Sequence, residues 1–281
     1  MMRRSFAAGL ATIAFAGSAA TAQPPPPFPP GMQYTYGSGE GSAISMQAWR
    51  ALTAYVAERV KQRPADSVIL ASGASLDAPA YVPCGSKKYA AVFDVDETVL
   101  LNLGFEYDSA TGTPHSDARW DEWERTGARQ VGPVPGAREA LDALRAMNVT
   151  VVFNTNRLAA NAAANQATIE GAGLGPARHG DTLYLKGDDK LGSNKDGRRA
   201  MIAERFCVIA MGGDQLGDFS NLFAIASVRD RRDSTLKPAI APLWGAGWFV
   251  LPNPVYGTGL KGTVDEVFPD EVHWPVTGEK G

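Results

Sequence analysis

The chain has 281 residues, 44% of them hydrophobic and 20% charged, with a formal net charge of −3 at pH 7. That mild acidity argues against a nucleic-acid groove, which needs a basic stripe, so no nucleic-acid polymer is expected as a partner. Two cysteines, Cys84 and Cys207, cannot build a disulfide framework; a single bridge is permitted in an oxidising compartment, and the sequence leaves that pairing open.

The chain opens MMRRSFAAGLATIAFAGSAATAQ, with Arg3 and Arg4 ahead of an apolar stretch, Phe6 to Gly17, and the small residues Ala20-Thr21-Ala22 after it. This order reads as a cleaved secretory signal peptide over residues 1–22. The stretch is shorter than the roughly 20 apolar residues that span a bilayer. No cysteine follows the cut, so a lipid anchor is not expected. The expectation is an exported protein, periplasmic or secreted, with no stable membrane anchor; the export route and the oligomeric state stay open. Cleavage removes two arginines and no acid, which moves the formal charge from −3 to −5. The remainder is long enough for one large α/β domain.

Residues 23–43 are rich in proline and glycine and predict an extended leader. A core spanning 44–275 follows, then a short tail, 276–281. From Ser45, the apolar residues Trp49, Leu52, Val56 and Val60 recur at helical spacing. Beyond Pro83, strand-like and helix-like segments alternate: KYAAVFD, a helix from Gly136 to Met147, NVTVVFN, a helix from Ala159 to Glu170, DTLYLK, a helix from Asp196 to Arg205, and FCVIAMG. Such alternation predicts a Rossmann-like parallel sheet with right-handed crossovers. The aromatic and polar interval of roughly 102–134 predicts a helical cap inserted after the first core strand. Ligands of such sheets bind beyond the carboxyl ends of the strands.

At the first of these ends, AVFDVDETVLLN places Asp94, Asp96 and Glu97 together. Carboxylates buried side by side without a partner cost several kcal/mol or more, so a positive charge is required nearby. Asp94 and Asp96, two apart in extended chain, project to one side and suit a hard divalent cation such as Mg2+. One carboxylate can then attack phosphorus while the other passes a proton to the departing alkoxide. An EF-hand is excluded, because the sixth and twelfth positions from Asp94 are Val99 and Phe105 rather than Gly and Glu.

The D-x-D-E-T pattern after an apolar strand resembles the first motif of the haloacid dehalogenase (HAD) phosphatases. Three later segments resemble the remaining motifs in order: VVFNTNR with Thr155 and Asn156, SNKDGRR with Lys195, and GGDQLGDF with Asp214 and Asp218. With DVDETVLLNLGF, Val134 to Ala137 and WFVLPNPVYG, the chain is similar to subfamily IIIB, the class C acid phosphatases and 5′-nucleotidases, from about Tyr34 to Tyr256.

That resemblance implies an HAD-type α/β fold and hydrolysis of small phosphate esters through an aspartyl phosphate. It implies Asp94 and Asp96 as catalytic residues and Thr155, Asn156 and Lys195 as phosphate-binding residues. It further implies Mg2+ held by Asp94, the backbone carbonyl of Asp96, and Asp214, with Asp218 orienting groups around the ion. Phe105, Trp120, Trp123 and Tyr256 are candidates for stacking on a nucleobase, although both tryptophans equally suit the core of the cap. The family usually has tyrosine at the position of Phe105 and asparagine at that of Gln215. His115, His179 and His273 show no metal-ligand spacing. Two other readings share the scaffold: a phosphotransferase that passes the same phosphoryl group to an alcohol, and a non-catalytic storage or binding protein, which would not need both Asp94 and Asp96.

Overall fold

The computed structural model describes residues 28–274; the signal-peptide and tail assignments lie outside that range. The strands in chain order are β1 (Asp66–Leu70), β2 (Tyr81–Pro83), β3 (Lys88–Phe93), β4 (Leu100–Leu101), β5 (Gly132–Pro133), β6 (Thr150–Leu158), β7 (Leu183–Lys186), β8 (Phe206–Gly213) and β9 (Trp248–Val250). The helices are α1 (Pro30–Met32), α2 (Gly39–Gln62), α3 (Leu103–Ala110), α4 (Asp117–Thr126), α5 (Ala137–Ala146), α6 (Ala162–Gly171), α7 (Asp196–Arg205), α8 (Val228–Ser234) and α9 (Val264–Val267). No helix among the described residues is long and apolar enough to cross a membrane.

Five strands form the central sheet in the order β7-β6-β3-β8-β9, and every neighbouring pair is parallel. Chain order therefore runs outward from β3 to β7 on one side and then jumps back across β3 to β8 and β9. This reversal beside β3 makes the switch point at which α/β sheets open a crevice. Strands buried on both faces read as unbroken apolar runs, and β8 is buried along its whole length. On one face Trp49, Leu52 and Val56 of α2 pack with Leu141 and Leu144 of α5 against Phe93, Val151 and Phe153. Fully burying each such large side chain stabilises the fold by roughly 1.5–3 kcal/mol. On the other face Ile202 and Ala203 of α7 meet Val92, Val152 and Val208, beside a cluster of Phe219, Phe223 and Trp248.

The segment after β3 is the cap foreseen from the sequence: helices α3 and α4, closed by the short antiparallel pair β4–β5. Cys84, just before β3, and Cys207, in β8, form a disulfide with Cα atoms 4.6 Å apart, which resolves the pairing left open above.

The leader departs from expectation. Residues 30–37 are helical, and α2 begins at Gly39 rather than near Ser45. Proline at the first helical position is preorganised for a helix start, and the Ser38 hydroxyl caps α2 by accepting from the Gly41 N–H at 2.9 Å. Gly31 is packed so closely that a Cβ there would lie 1.8 Å from the Pro254 carbonyl oxygen. Proline and glycine here mark a docked segment that touches the stretch after β9, and they do not mark a free one.

Candidate active site

The carboxyl ends of three neighbouring strands deliver the chemistry. Asp94 follows β3, Thr155 lies in β6, and Asp214 follows β8. Lys195 sits at the start of α7 with its side chain buried, and its Nζ donates to Asp94 Oδ1 and, at 2.6 Å, to Asp218 Oδ1. The short 3₁₀ turn Leu216–Asp218 is closed by the Gln215 N–H, which donates to Asp218 Oδ2 at 2.9 Å. Asp214 is held by Asn253 Nδ2 at 2.6 Å, Gln215 Nε2 at 3.0 Å and the Thr98 hydroxyl at 3.2 Å.

Asp94, Asp214 and Asp218 each present a carboxylate oxygen within 4.8 Å of the other two. Burial lifts the Asp94 carboxyl well above the usual range, Lys195 pulls it back, and Asp218 and Asp214 push it up again. Burial and then Asp218 raise Asp214 to about 7. One lysine thus fails to balance three crowded acids. The donor set is all oxygen, the choice of Mg2+ and other hard divalent ions, so these residues suit such an ion. The carboxylate that joins Asp94 and Asp214 is that of Asp218 rather than Asp96. Asp218 therefore takes a more direct place than the resemblance implied, and Asp96 has only its backbone carbonyl to offer.

The Asp96 side chain is turned to the opposite wall. Arg157, 1% exposed, donates to its Oδ1 from Nε at 2.9 Å and from Nη2 at 2.7 Å. Asn102 Nδ2 adds a third donor at 3.0 Å, and Thr155 Oγ1 lies 3.4 Å from Oδ2. Asn102 in turn accepts from Arg157 Nη2 at 2.8 Å and from the Trp123 indole at 2.9 Å. Glu124, fully buried in α4, accepts from Leu158 N, Asn161 and Asn165, and Asn165 accepts from Arg157 Nη1. The network ties the cap to the Asp96 carboxylate.

Arg198, also buried, donates to the Thr155 carbonyl and, at 2.7 Å, to Asn156 Oδ1, which fixes the part of β6 that borders the cavity. Glu97 occupies left-handed backbone at φ 52°, uncommon for a non-glycine residue, and is 2% exposed. Its carboxylate accepts from Tyr36 at 3.1 Å, Tyr256, and the Asn102 N–H at 2.9 Å. Burial, then Asp96, raise it to about 7. Through Glu97 the leader, the cap and the segment after β9 meet at one point.

A cavity of about 970 Å3 opens over these acids and is lined by Asp94, Asp96, Asn156, Lys195, Asp214 and Asp218 at one end. Phe105, Trp120, His115 and Tyr256 line the remainder. Phe105 and Trp120 meet edge to face with centroids 5.0 Å apart. Trp123 is not part of this wall. Its ring is boxed in by the cap so tightly that a Cβ on Gly127 would come within 2.3 Å of it, and its N–H is committed to Asn102. It belongs to the structural alternative for the tryptophan pair. His115, without a role on spacing alone, is brought to the cavity by the loop between α3 and α4.

A sheet with this strand order, covered at its carboxyl edge by a helical insertion, is the architecture of the HAD hydrolases. The chain belongs to the HAD superfamily, subfamily IIIB (acid phosphatase), whose family model it matches over residues 40–259. It is accordingly a phosphomonoester hydrolase. Among solved structures, it is similar to the class C acid phosphatase from Bacillus anthracis, with a TM-score of 0.67 and 21% identity over 86% of this chain and 92% of the other. The tungstate-bound form of that protein gives 0.66 and 21% over 84% and 92%. No curated protein sequence matches.

Proposed function

We propose that this enzyme is an exported, Mg2+-dependent acid phosphatase that works through a phosphoryl ester of Asp94 and accepts 5′-nucleotides among its substrates. The observation that carries the reading is the buried Asp94–Lys195 pair at the head of the cavity, within reach of Asp214 and Asp218. Asp94, Asp214, Asp218 and the Asp96 carbonyl would hold the ion, which supplies the positive charge that lets an anionic carboxylate approach an anionic phosphate.

Asp94 attacks phosphorus, and the alkoxide leaves with a proton from Asp96; Asp96 then takes a proton from water, which cleaves the acyl phosphate and frees Asp94. Lys195 is aimed by Asp218, so its ammonium is fixed where negative charge develops on the phosphoryl oxygens. Asn156 Nδ2 and the Thr155 end of β6 supply further donors. Arg157 fixes the orientation of the Asp96 carboxylate through two hydrogen bonds to its Oδ1.

A cavity this size exceeds what a phosphate needs, and its aromatic walls at Phe105, Trp120 and Tyr256 support a planar organic group. Export rests on the signal-peptide reading of residues 1–22 and is supported by the Cys84–Cys207 disulfide, since such bridges persist in oxidising compartments. The test is a panel of nucleotides and sugar phosphates assayed with and without EDTA. Release of phosphate that survives exhaustive chelation would count against the metal, and failure to release phosphate from any 5′-nucleotide would count against the nucleotide reading.

A further inference from the structure

Helix α3 is built inside out. Leu103 and Tyr107 are 42% and 72% exposed, whereas Glu106 is 6% exposed and faces the cavity beside Phe105 and Ser109. Glutamate is almost never buried to this extent unless it is paired. Among the described residues, no donor lies within hydrogen-bond distance of the Glu106 carboxylate, and no salt bridge includes it. Arg119, whose charge pulls the Glu106 carboxyl back toward its ordinary range, is committed elsewhere: its guanidinium donates to the Thr113 and Pro114 carbonyls and to Asp108, and it lies 4.8 Å from the Phe105 ring centroid. Burial is the main reason the carboxyl is pushed up to about 7.

The carboxylate has no protein donor and opens on the cavity, while Leu103 and Tyr107 of the same helix stand exposed. What the position offers instead is an acceptor in the wall of the cavity that holds Asp94 and Asp96, flanked by Phe105 and Trp120. We propose that Glu106 is a specificity-determining residue that accepts a hydrogen bond from an O–H or N–H group on the organic part of the ester. It selects donor-bearing phosphate esters over plain aryl or alkyl ones. A site built around a buried acceptor rejects a ligand that leaves it unpaired, which discriminates far better than apolar contact does. The inference rests on the phosphomonoesterase reading of the same cavity.

The test compares kcat/KM for ribose 5-phosphate and adenosine 5′-monophosphate with that for phenyl phosphate in the parent, Glu106→Gln and Glu106→Leu. The expected result is a fall of about 10- to 100-fold in the ratio of donor-bearing to donor-free ester for Glu106→Leu, with Glu106→Gln between the two. The loss should lie mainly in KM. Thermal midpoints measured above pH 7, where the parent carboxyl is ionised, should equal or exceed that of the parent, because there the variants remove a charge without a protein partner. Calorimetric binding of the same esters in an Asp94→Asn background should show the same order without turnover, so a failure of the catalytic reading is separable from a failure of this one. A ratio within about twofold of the parent in Glu106→Leu, or a midpoint lowered by more than about 5 °C in both variants, would overturn the proposal.

Discussion

Arg157 and Asp96, 61 positions apart in sequence, form a two-pronged ion pair in which Nε and Nη2 of the guanidinium both reach Oδ1. The arginine is buried and the aspartate is nearly so, with side chains 1% and 14% exposed. Such a pair orients the carboxylate more than it stabilises the fold, because desolvation offsets most of the Coulomb gain. Arg157→Lys keeps the charge and loses the planar fork. The expected outcome is a kcat reduced by about 10- to 100-fold with Asp96 misplaced. Arg157→Ala strands Asp96, and thermal or urea melts should show a loss of about 3–5 kcal/mol.

Asp94→Asn should abolish turnover and leave the fold intact, because the amide is isosteric and no longer a nucleophile. Circular dichroism should match the parent, while the rate falls by at least about a thousandfold. Substantial residual activity with normal metal content would remove Asp94 from its assigned role.

The metal prediction follows from the crowding of Asp94, Asp214 and Asp218. Added Mg2+ should raise the thermal midpoint as well as restore activity after chelation, since an ion that binds only the folded state stabilises it by mass action. Asp218→Asn should weaken that midpoint shift. A midpoint indifferent to millimolar Mg2+ would argue that the cluster does not bind it.

Stability should also depend on pH through Glu106. Its folded pKa of about 7 lies above the ordinary 4.5. Below 4.5 both folded and unfolded chains carry the proton and burial costs nothing. Between 4.5 and 7 the unfolded chain releases it first, so stability falls as pH rises, and above 7 the cost is complete, at most about 3 kcal/mol. Glu106→Gln should flatten the change in unfolding free energy between pH 4.5 and 7.5. Urea melts at the two values check this, and an equal slope in variant and parent would contradict it. Glu97, also near 7, adds a parallel slope that the variant retains.

Much of the sheet was legible because each strand is an apolar run closed by turn residues, and because α7 spans Asp196–Arg205 as its periodicity indicates. Asp94, Thr155, Lys195 and Asp214 were legible by their order along the chain. What escaped the sequence was the polar wiring. Arg157, Asn102 and Glu124 join through a buried network whose separations, 55 residues from Asn102 to Arg157 for one, follow no periodicity. Glu97 looked like one more acid beside Asp96; only the fold shows Tyr36 and Tyr256 converging on it. The leader was misjudged because composition records how freely proline and glycine move, whereas Gly31 is needed for close approach to Pro254. Trp120 and Trp123 share a helix face, yet one meets the cavity and the other the cap interior, a distinction set by Gly127 and Asn102.

The disulfide joins Cys84 to Cys207 across 123 positions, at the amino-terminal side of the strands that carry Asp94 and Asp214. Every exposed loop of the cap falls inside that covalent ring. A protease that nicks the chain anywhere in it therefore yields two fragments that cannot drift apart, and both halves of the catalytic apparatus stay tethered in a single molecule. Wear at the rim need not mean loss of the centre.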